Sequence, residues 1–182
     1  MRYTPEHKAA TRERLLAGAG ALAKRQGYAA TGVDAIVAEA GLTAGAFYVH
    51  FGSKSEMLQA LIEREMEASL ALFGRDGPLS DDELAKRVAG YLSLAHVEHP
   101  EVGCCLPSLT AEVARADDGV REHFEHAVER IQARLAELLG DEDRAWSVLA
   151  QAVGAVMLAR AMRSKPARKA LLDGVRRQIL PR

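Results

Sequence analysis

The chain has 182 residues, of which 48% are hydrophobic, 24 are Lys or Arg, and 25 are Asp or Glu. The formal net charge of −1 excludes a polycation that coats nucleic acid, and six prolines and 15 glycines are too few for a disordered or collagen-like chain. Two adjacent cysteines, Cys104 and Cys105, cannot build a disulfide framework, which predicts a reducing compartment. The polar start has no apolar signal-peptide region, and no stretch approaches ~18 uncharged apolar residues, so we expect a soluble cytoplasmic protein without a membrane partner.

The charge is distributed unevenly along the chain. Residues 1–55 carry seven basic and four acidic side chains, whereas the remainder is net acidic. A basic N-terminal third on an acidic body indicates that this third faces a polyanion. Among its basic residues, Arg2, Lys8 and Arg12 either decorate the first helix or lie near such a partner.

The first four predicted elements are helices, because Ala, Leu, Glu and Arg are abundant and strand signals are nearly absent. Apolar residues at helical spacing give a first helix that ends at Gly27. The next helices are predicted at 34–40, closed by Gly41, and from the N-cap Thr43 through residue 51. A capping box from Ser53 to Glu56 begins a long helix that runs toward residue 73.

Five more helices are predicted in the rest of the chain. They span about 81–99, 104–116 with an interruption near Pro107, 120–139, 144–163, and a last segment after Lys165-Pro166 that ends near residue 180. The count is about nine helices and no sheet, which predicts an all-α fold.

Residues 31–56 form the most informative segment. Two short helices joined at residues 40–43 predict a helix-turn-helix, in which Gly41 permits the sharp turn and Thr43 caps the second helix. The second helix of such a motif fits the DNA major groove, and its first residues lie nearest the base edges. Here these residues are small. Tyr48, His50 and Lys54 can project polar tips toward phosphates.

The run from Gly41 to Leu58, GLTAGAFYVHFGSKSEML, closely resembles the signature of TetR-family transcriptional regulators, and residues 27–38 fit the same pattern. The resemblance implies a homodimer that binds a palindromic operator and represses transcription until a small-molecule effector releases it. It also implies a helix-turn-helix DNA-binding domain at 1–52 and an effector-binding and dimerisation domain at 53–182.

Carried over by position, the resemblance implies seven DNA-binding residues. The groove-facing residues are Thr43, Ala44 and Gly45, and the phosphate contacts are Tyr48, His50, Lys54 and Thr31. Ala44 and Ala46 replace positions that are often polar in the family, which favours readout through DNA shape or the N-terminal arm.

The segment from Gly103 to Glu112 is similar to a Gly-Cys-x-Leu segment in a subgroup of these regulators, some of which respond to electrophiles or oxidants. Cys104 or Cys105 would then be the sensor, which requires a lowered thiol pKa. The other interpretation is that both are small buried apolar residues. The sequence leaves the two open.

An effector pocket needs an apolar lining with a few polar groups. The candidates are Met66, Leu70, Phe73, Tyr91, His96, Cys104, Leu109, Phe124, Trp146, Gln151 and Met157. The last two helices are expected to form the dimer interface, where Gly154 and Ala155 lie among Val148, Val153, Val156 and Met157.

No cofactor or metal is expected, although His96/His99 and His123/His126 are spaced like paired metal ligands. The chain has no Walker loop, zinc-protease motif or nucleophile elbow, so an enzyme is not expected. The predicted function is a ligand-responsive repressor. One alternative is an electrophile- or redox-sensing repressor that acts through Cys104 or Cys105. A less favoured alternative is an all-α ligand-binding protein or enzyme without DNA binding.

Overall fold

The structure, a computed structural model, describes residues 4–71 and 79–180. Within these ranges the chain forms ten α-helices and one 3-10 turn, with no strand. They are α1 (Pro5–Gln26), α2 (Val33–Glu39), α3 (Ala44–His50), α4 (Lys54–Ala71), α5 (Asp81–Tyr91), α6 (Leu94–Glu98), the turn Pro100–Val102, α7 (Leu106–Val113), α8 (Asp118–Leu139), α9 (Glu142–Ala161) and α10 (Lys165–Ile179). The predicted all-α fold is confirmed.

Two details of the helix prediction were wrong. The helix expected over 81–99 is divided, because Ser93 begins α6 by accepting a hydrogen bond from the His96 N–H at 3.2 Å. Pro107 does not interrupt a helix but lies in the first turn of α7. A proline is tolerated there because its missing N–H would have no intrahelical partner.

The turn between α2 and α3 is fixed by backbone and side-chain hydrogen bonds. Gly41 has a positive φ of 63°, and the Leu42 N–H donates to the Val37 carbonyl at 2.7 Å. Arg14 of α1 donates to the Ala40 carbonyl at 2.8 Å, so the turn is tied to the first helix. Thr43 is the N-cap of α3, as predicted, but its side chain makes no capping hydrogen bond.

Helix α4 links the helix-turn-helix to the rest of the protein. Half of the predicted capping box forms, since Ser53 Oγ accepts from the Glu56 N–H at 3.1 Å. The Glu56 carboxylate accepts from the N–H of Gly52 at 2.7 Å, one residue before the N-cap. Farther along, α4 packs against both α1 and α8. One continuous core therefore runs from α1–α3 through α4 into α7 and α8, and includes buried residues such as Leu15, Ile36, Phe47, Phe51, Leu61, Ile62, Leu109 and Ile131.

A second core lies between α5, α6, α9 and α10. It contains Val148, Ala155 and Val156, which the sequence had assigned to a dimer face. That assignment was wrong for these three residues, because the phase of α9 points them inward. No helix among the described residues is long and apolar enough to cross a bilayer.

Candidate functional site

The start of α3 presents small, exposed residues, and the same helix carries an exposed tyrosine. Thr43, Ala44 and Gly45 are exposed, as a groove-facing surface requires. Tyr48 is 66% exposed, and its ring packs edge-on against the buried Phe47 at 5.2 Å between centroids. The Tyr48 ring is thus oriented by the core while most of its surface remains accessible.

Basic side chains from α1 converge on the C-terminal end of α3. The Arg12 guanidinium lies 5.2 Å from the centre of the Phe51 ring, next to His50. Partial burial lowers the pKa of His50, and the positive charges of Lys8 and Arg12 lower it further. Lys8 and Arg12 are therefore two charged donors next to the neutral His50 imidazole, and a phosphate at this end of α3 would find all three.

Lys54, a predicted phosphate contact, is half-buried at the start of α4 and bonded within the protein. Its ammonium donates to the Thr31 carbonyl at 2.7 Å and to the Tyr28 carbonyl at 3.3 Å, and lies 4.9 Å from the centre of the Tyr28 ring. An ammonium has three N–H donors, so one is left for a phosphate. Lys54 thus binds the loop before α2 through two N–H groups, and its third N–H makes no hydrogen bond to a carbonyl of this loop.

Thr31 does not fit its predicted role. Its side chain is fully buried, and Oγ1 donates to the Gly27 carbonyl at 2.7 Å. A hydroxyl that is buried and already donating cannot reach a DNA phosphate without unfolding the loop. Thr31 instead positions the loop and supplies the carbonyl that holds Lys54.

A cavity of about 520 Å³ lies between α5, α6 and the segment before α7. Three of the predicted pocket residues, Tyr91, His96 and Cys104, line it. The sequence missed its other lining residues, which are Ala71, Arg87, Gly90, Ser93, Ala95, His99, Val102 and Gly103. Several are Gly or Ala, which create space by their small size, and a search for large apolar residues does not find them.

The other predicted pocket residues lie elsewhere. Met66 and Leu109 are buried in the core, and Leu70 packs against it. Phe124 lines a separate open groove at the start of α8, while Trp146, Gln151 and Met157 are exposed on α9. Phe73 lies outside the described residues.

Hydrogen bonds fix the protonation state of His96 in the cavity wall. Its Nε2 accepts from the Cys104 N–H at 3.1 Å, so Nδ1 must carry the proton that bonds the Tyr91 carbonyl at 2.7 Å. Burial lowers the pKa of His96, and the charges of Arg160 and Lys24 act in the same direction. His96 is therefore a neutral link between the end of α5 and Cys104.

The two cysteines differ in their surroundings. Cys104 Sγ accepts from Ser69 Oγ at 3.3 Å, whereas Cys105 Sγ lies 3.5 Å from Met66 Sδ in the core. Hydrogen bonding from Cys105, supported by Ser69, lowers the pKa of the Cys104 thiol despite burial, and the same bond and burial raise the pKa of Cys105. Of the pair, only Cys104 lines the cavity.

Residues 15–61, which contain α2, α3 and the core residues that hold them, match the model of the family described as bacterial regulatory proteins, tetR family. This segment therefore belongs to the TetR family of bacterial regulatory proteins.

Similar proteins agree with this assignment. A Lactococcus lactis protein named as an uncharacterized HTH-type transcriptional regulator is 27% identical over 134 residues, which are 71% of this chain and 68% of the relative. The solved structure of the reduced form of NemR from Escherichia coli is 21% identical with a TM-score of 0.78, over 93% of this chain and 95% of that one. A TetR regulator from Legionella pneumophila is 20% identical with a TM-score of 0.77, over 98% and 97%. At these identities the structural likeness shows the fold.

Two polar residues have roles that the sequence does not signal. Arg14 is one of the basic residues of the N-terminal third, and it donates to the carbonyls of Ala40 and Gly41 in the turn of the helix-turn-helix. Glu112 was only the last residue of a motif, yet its carboxylate accepts from the N–H groups of Tyr28 and Ala29 at 2.6 and 2.7 Å. Neither role could be predicted, since each partner lies on another helix or loop.

Proposed function

We propose that this TetR-family regulator is a homodimeric repressor that binds a palindromic operator through α3 and is released by a small-molecule effector. The groove-facing residues are Thr43, Ala44 and Gly45, at the start of α3. The two recognition helices of such a dimer must meet half-sites about 34–36 Å apart, or a multiple of that, so a small change in their separation abolishes binding.

DNA binding through this face is favoured most by the basic cluster of Lys8 and Arg12 next to His50, together with the exposed Tyr48 on the same helix. These side chains supply donors to phosphates, with Lys54 contributing the N–H that the protein does not use. Because the groove-facing residues are small, specificity depends on close backbone approach and DNA shape more than on side-chain hydrogen bonds.

We retain the division into a DNA-binding domain at 1–52 and an effector-binding and dimerisation domain at 53–182. The cavity beside Cys104 is the proposed effector site, since its volume falls in the range of small-molecule pockets. An exposed apolar strip on α9, with Trp146 46% and Met157 39% exposed, is the proposed dimer surface together with α10.

Fluorescence anisotropy tests this function. The protein is titrated into labelled DNA from its own upstream intergenic region and, separately, into a scrambled duplex, and both titrations are repeated at several salt concentrations. Tight, sequence-dependent binding that weakens steeply with salt is expected, because bound phosphates release counterions. Equal binding to both duplexes at every salt concentration would contradict operator recognition in that region.

A second candidate, an electrophile-sensing repressor, is favoured by the Cys104 thiol in the cavity wall and its lowered pKa. The Cys104 thiolate would add to the β-carbon of an unsaturated carbonyl, forming a C–S bond, while the α-carbon takes up a proton from solvent. With N-ethylmaleimide as the probe, Cys104→Ser should abolish release from DNA and Cys105→Ser should preserve it. Release that persists in Cys104→Ser would remove this candidate.

A further inference from the structure

The loop between α1 and α2 is held by a carboxylate from α7. Glu112 accepts from the Tyr28 N–H at 2.6 Å and from the Ala29 N–H at 2.7 Å, across 84 and 83 residues of sequence. Gly27 leaves room for this approach, because a Cβ at that position would lie 2.7 Å from Glu112 Oε1. The positive φ of Gly27, 90°, also favours glycine. Glu112 thus satisfies two backbone donors directly after α1.

A second contact from the same face of α7 holds the end of α1 itself. Ser108, one helical turn before Glu112, donates from Oγ to the Lys24 carbonyl at 3.2 Å. The same Oγ accepts from Arg160 at 2.8 Å, which orients the hydroxyl. Helix α7 therefore binds a carbonyl of α1 and two N–H groups of the following loop.

The opposite end of α7 begins at the cavity. Gly103 and Cys104, just before the helix, line the cavity, and the Cys104 N–H is bonded to His96. The Gly103 carbonyl accepts from Lys24 Nζ at 3.2 Å. An occupant that displaces residues 103–106 would therefore move one end of an eight-residue helix whose other end holds the loop.

The loop leads directly to the DNA-binding face. Tyr28 Oη donates to the Lys54 carbonyl at 2.7 Å, and the carbonyls of Tyr28 and Thr31 hold the Lys54 ammonium. The position of Lys54, next to α3, thus depends on the loop that Glu112 fixes.

We propose that α7 couples the cavity to DNA binding, with Glu112 as the positioning residue that holds the Tyr28–Ala29 loop and, through it, Lys54. This inference rests on the proposed function. Two sites are coupled when one element responds to both, and the short helix α7 contacts the cavity wall at its start and the loop through Ser108 and Glu112.

The experiment replaces the unidentified effector with the substitution Gly103→Ala. The backbone of Gly103, at φ −94° and ψ −176°, accepts alanine, but the new Cβ collides with the His96 imidazole, so the cavity wall must shift. This change is made alone, with Glu112→Gln, and with the matched control Glu129→Gln on the exposed face of α8. In Glu112→Gln, the side chain keeps its size but presents an NH₂ group to one of the two N–H donors.

Two readouts are taken from each protein: operator affinity, and amide hydrogen exchange of residues 27–32. We expect Gly103→Ala to speed exchange in this loop and to weaken DNA binding roughly 5- to 150-fold, the usual range of allosteric coupling. In the Glu112→Gln background the same change should alter affinity by about twofold or less, because the contact that carries the shift to the loop is already weakened and the two effects are therefore not additive. In the Glu129→Gln background the full effect should persist.

A merely structural Glu112 would lower stability but leave the effect of Gly103→Ala intact, and that result would overturn the proposal. Unchanged loop exchange in Gly103→Ala alone would overturn it as well. If Glu112→Gln does not fold, Ser108→Ala takes its place, and Glu112→Asp, which keeps the charge, should restore part of the coupling. The exchange readout needs no DNA, so a chain that binds no DNA would refute the proposed function while the exchange data still decide the role of α7.

Discussion

Tyr48→Phe is the most direct test of the DNA-binding face, because it removes one hydroxyl and leaves the ring in place. Tyr48 is 66% exposed, and its ring contact with Phe47 does not involve the oxygen. A hydrogen bond to a charged group contributes about 1.5–3 kcal/mol. Losing it should weaken operator binding roughly 10- to 150-fold for each protomer. The free energy of unfolding should change by no more than about 0.5 kcal/mol, as for other surface substitutions.

The assay is fluorescence anisotropy across a salt series, with a thermal melt of the same samples. Because tyrosine is uncharged, Tyr48→Phe should shift the plot of log affinity against log salt concentration without changing its slope. The matched control Lys8→Ala removes one charge per protomer from the basic cluster and should reduce the slope by about 1.8 for a dimer. Wild-type affinity in Tyr48→Phe would show that the hydroxyl makes no phosphate contact and would refute the assignment of this face.

Three further predictions concern stability and assembly. Lys54→Ala should lower both the melting temperature and DNA affinity, since it removes the donor to the Thr31 carbonyl at about 1–3 kcal/mol, whereas the Tyr28 carbonyl keeps the Thr31 N–H; an unchanged melt would show that the Lys54 hydrogen bonds do not stabilise the fold. Glu65→Gln should lower the free energy of unfolding in urea by about 3–5 kcal/mol, because Glu65, 4% exposed, forms a buried ion pair with Lys24 at 2.8 Å. The exposed control Glu63→Gln should unfold at the same urea concentration as the wild type. Trp146→Glu should convert the dimer to a monomer in sedimentation velocity, and a dimer that persists would place the interface elsewhere.

The helices and the helix-turn-helix could be predicted because their signals are local. Gly27 and Gly140 end α1 and α8 at positive φ, and Ser53 caps α4, as the sequence indicated. Local signals also explain the errors. The pattern over 81–99 is continuous in hydrophobicity, and Ser93 alone marks the break between α5 and α6.

The lining of the cavity was predicted poorly because several of its residues are Gly or Ala, which create space by having little or no side chain. Tyr91, His96 and Cys104 were found through their polar groups, but Gly90 and Ala95 carry no signal beyond small size. The candidates on α9 failed for another reason: periodicity identifies an apolar stripe but does not say which stripe meets the protein's own core. Trp146 lies on the exposed one.

Thr31 and Lys54 show how a family signature can assign a residue to DNA when the fold also needs it. The resemblance carries both over by their position in the motif as phosphate contacts, and it contains no information on their hydrogen bonds within the chain. In the structure the Thr31 carbonyl and the Tyr28 carbonyl are acceptors that Lys54 satisfies. A phosphate that binds the third N–H of Lys54 must act on an ammonium already fixed by this loop, and Glu112 of α7 fixes the same loop from the other side. A shift of α7 can therefore change DNA affinity through Lys54 while the recognition helix α3 keeps its own internal structure.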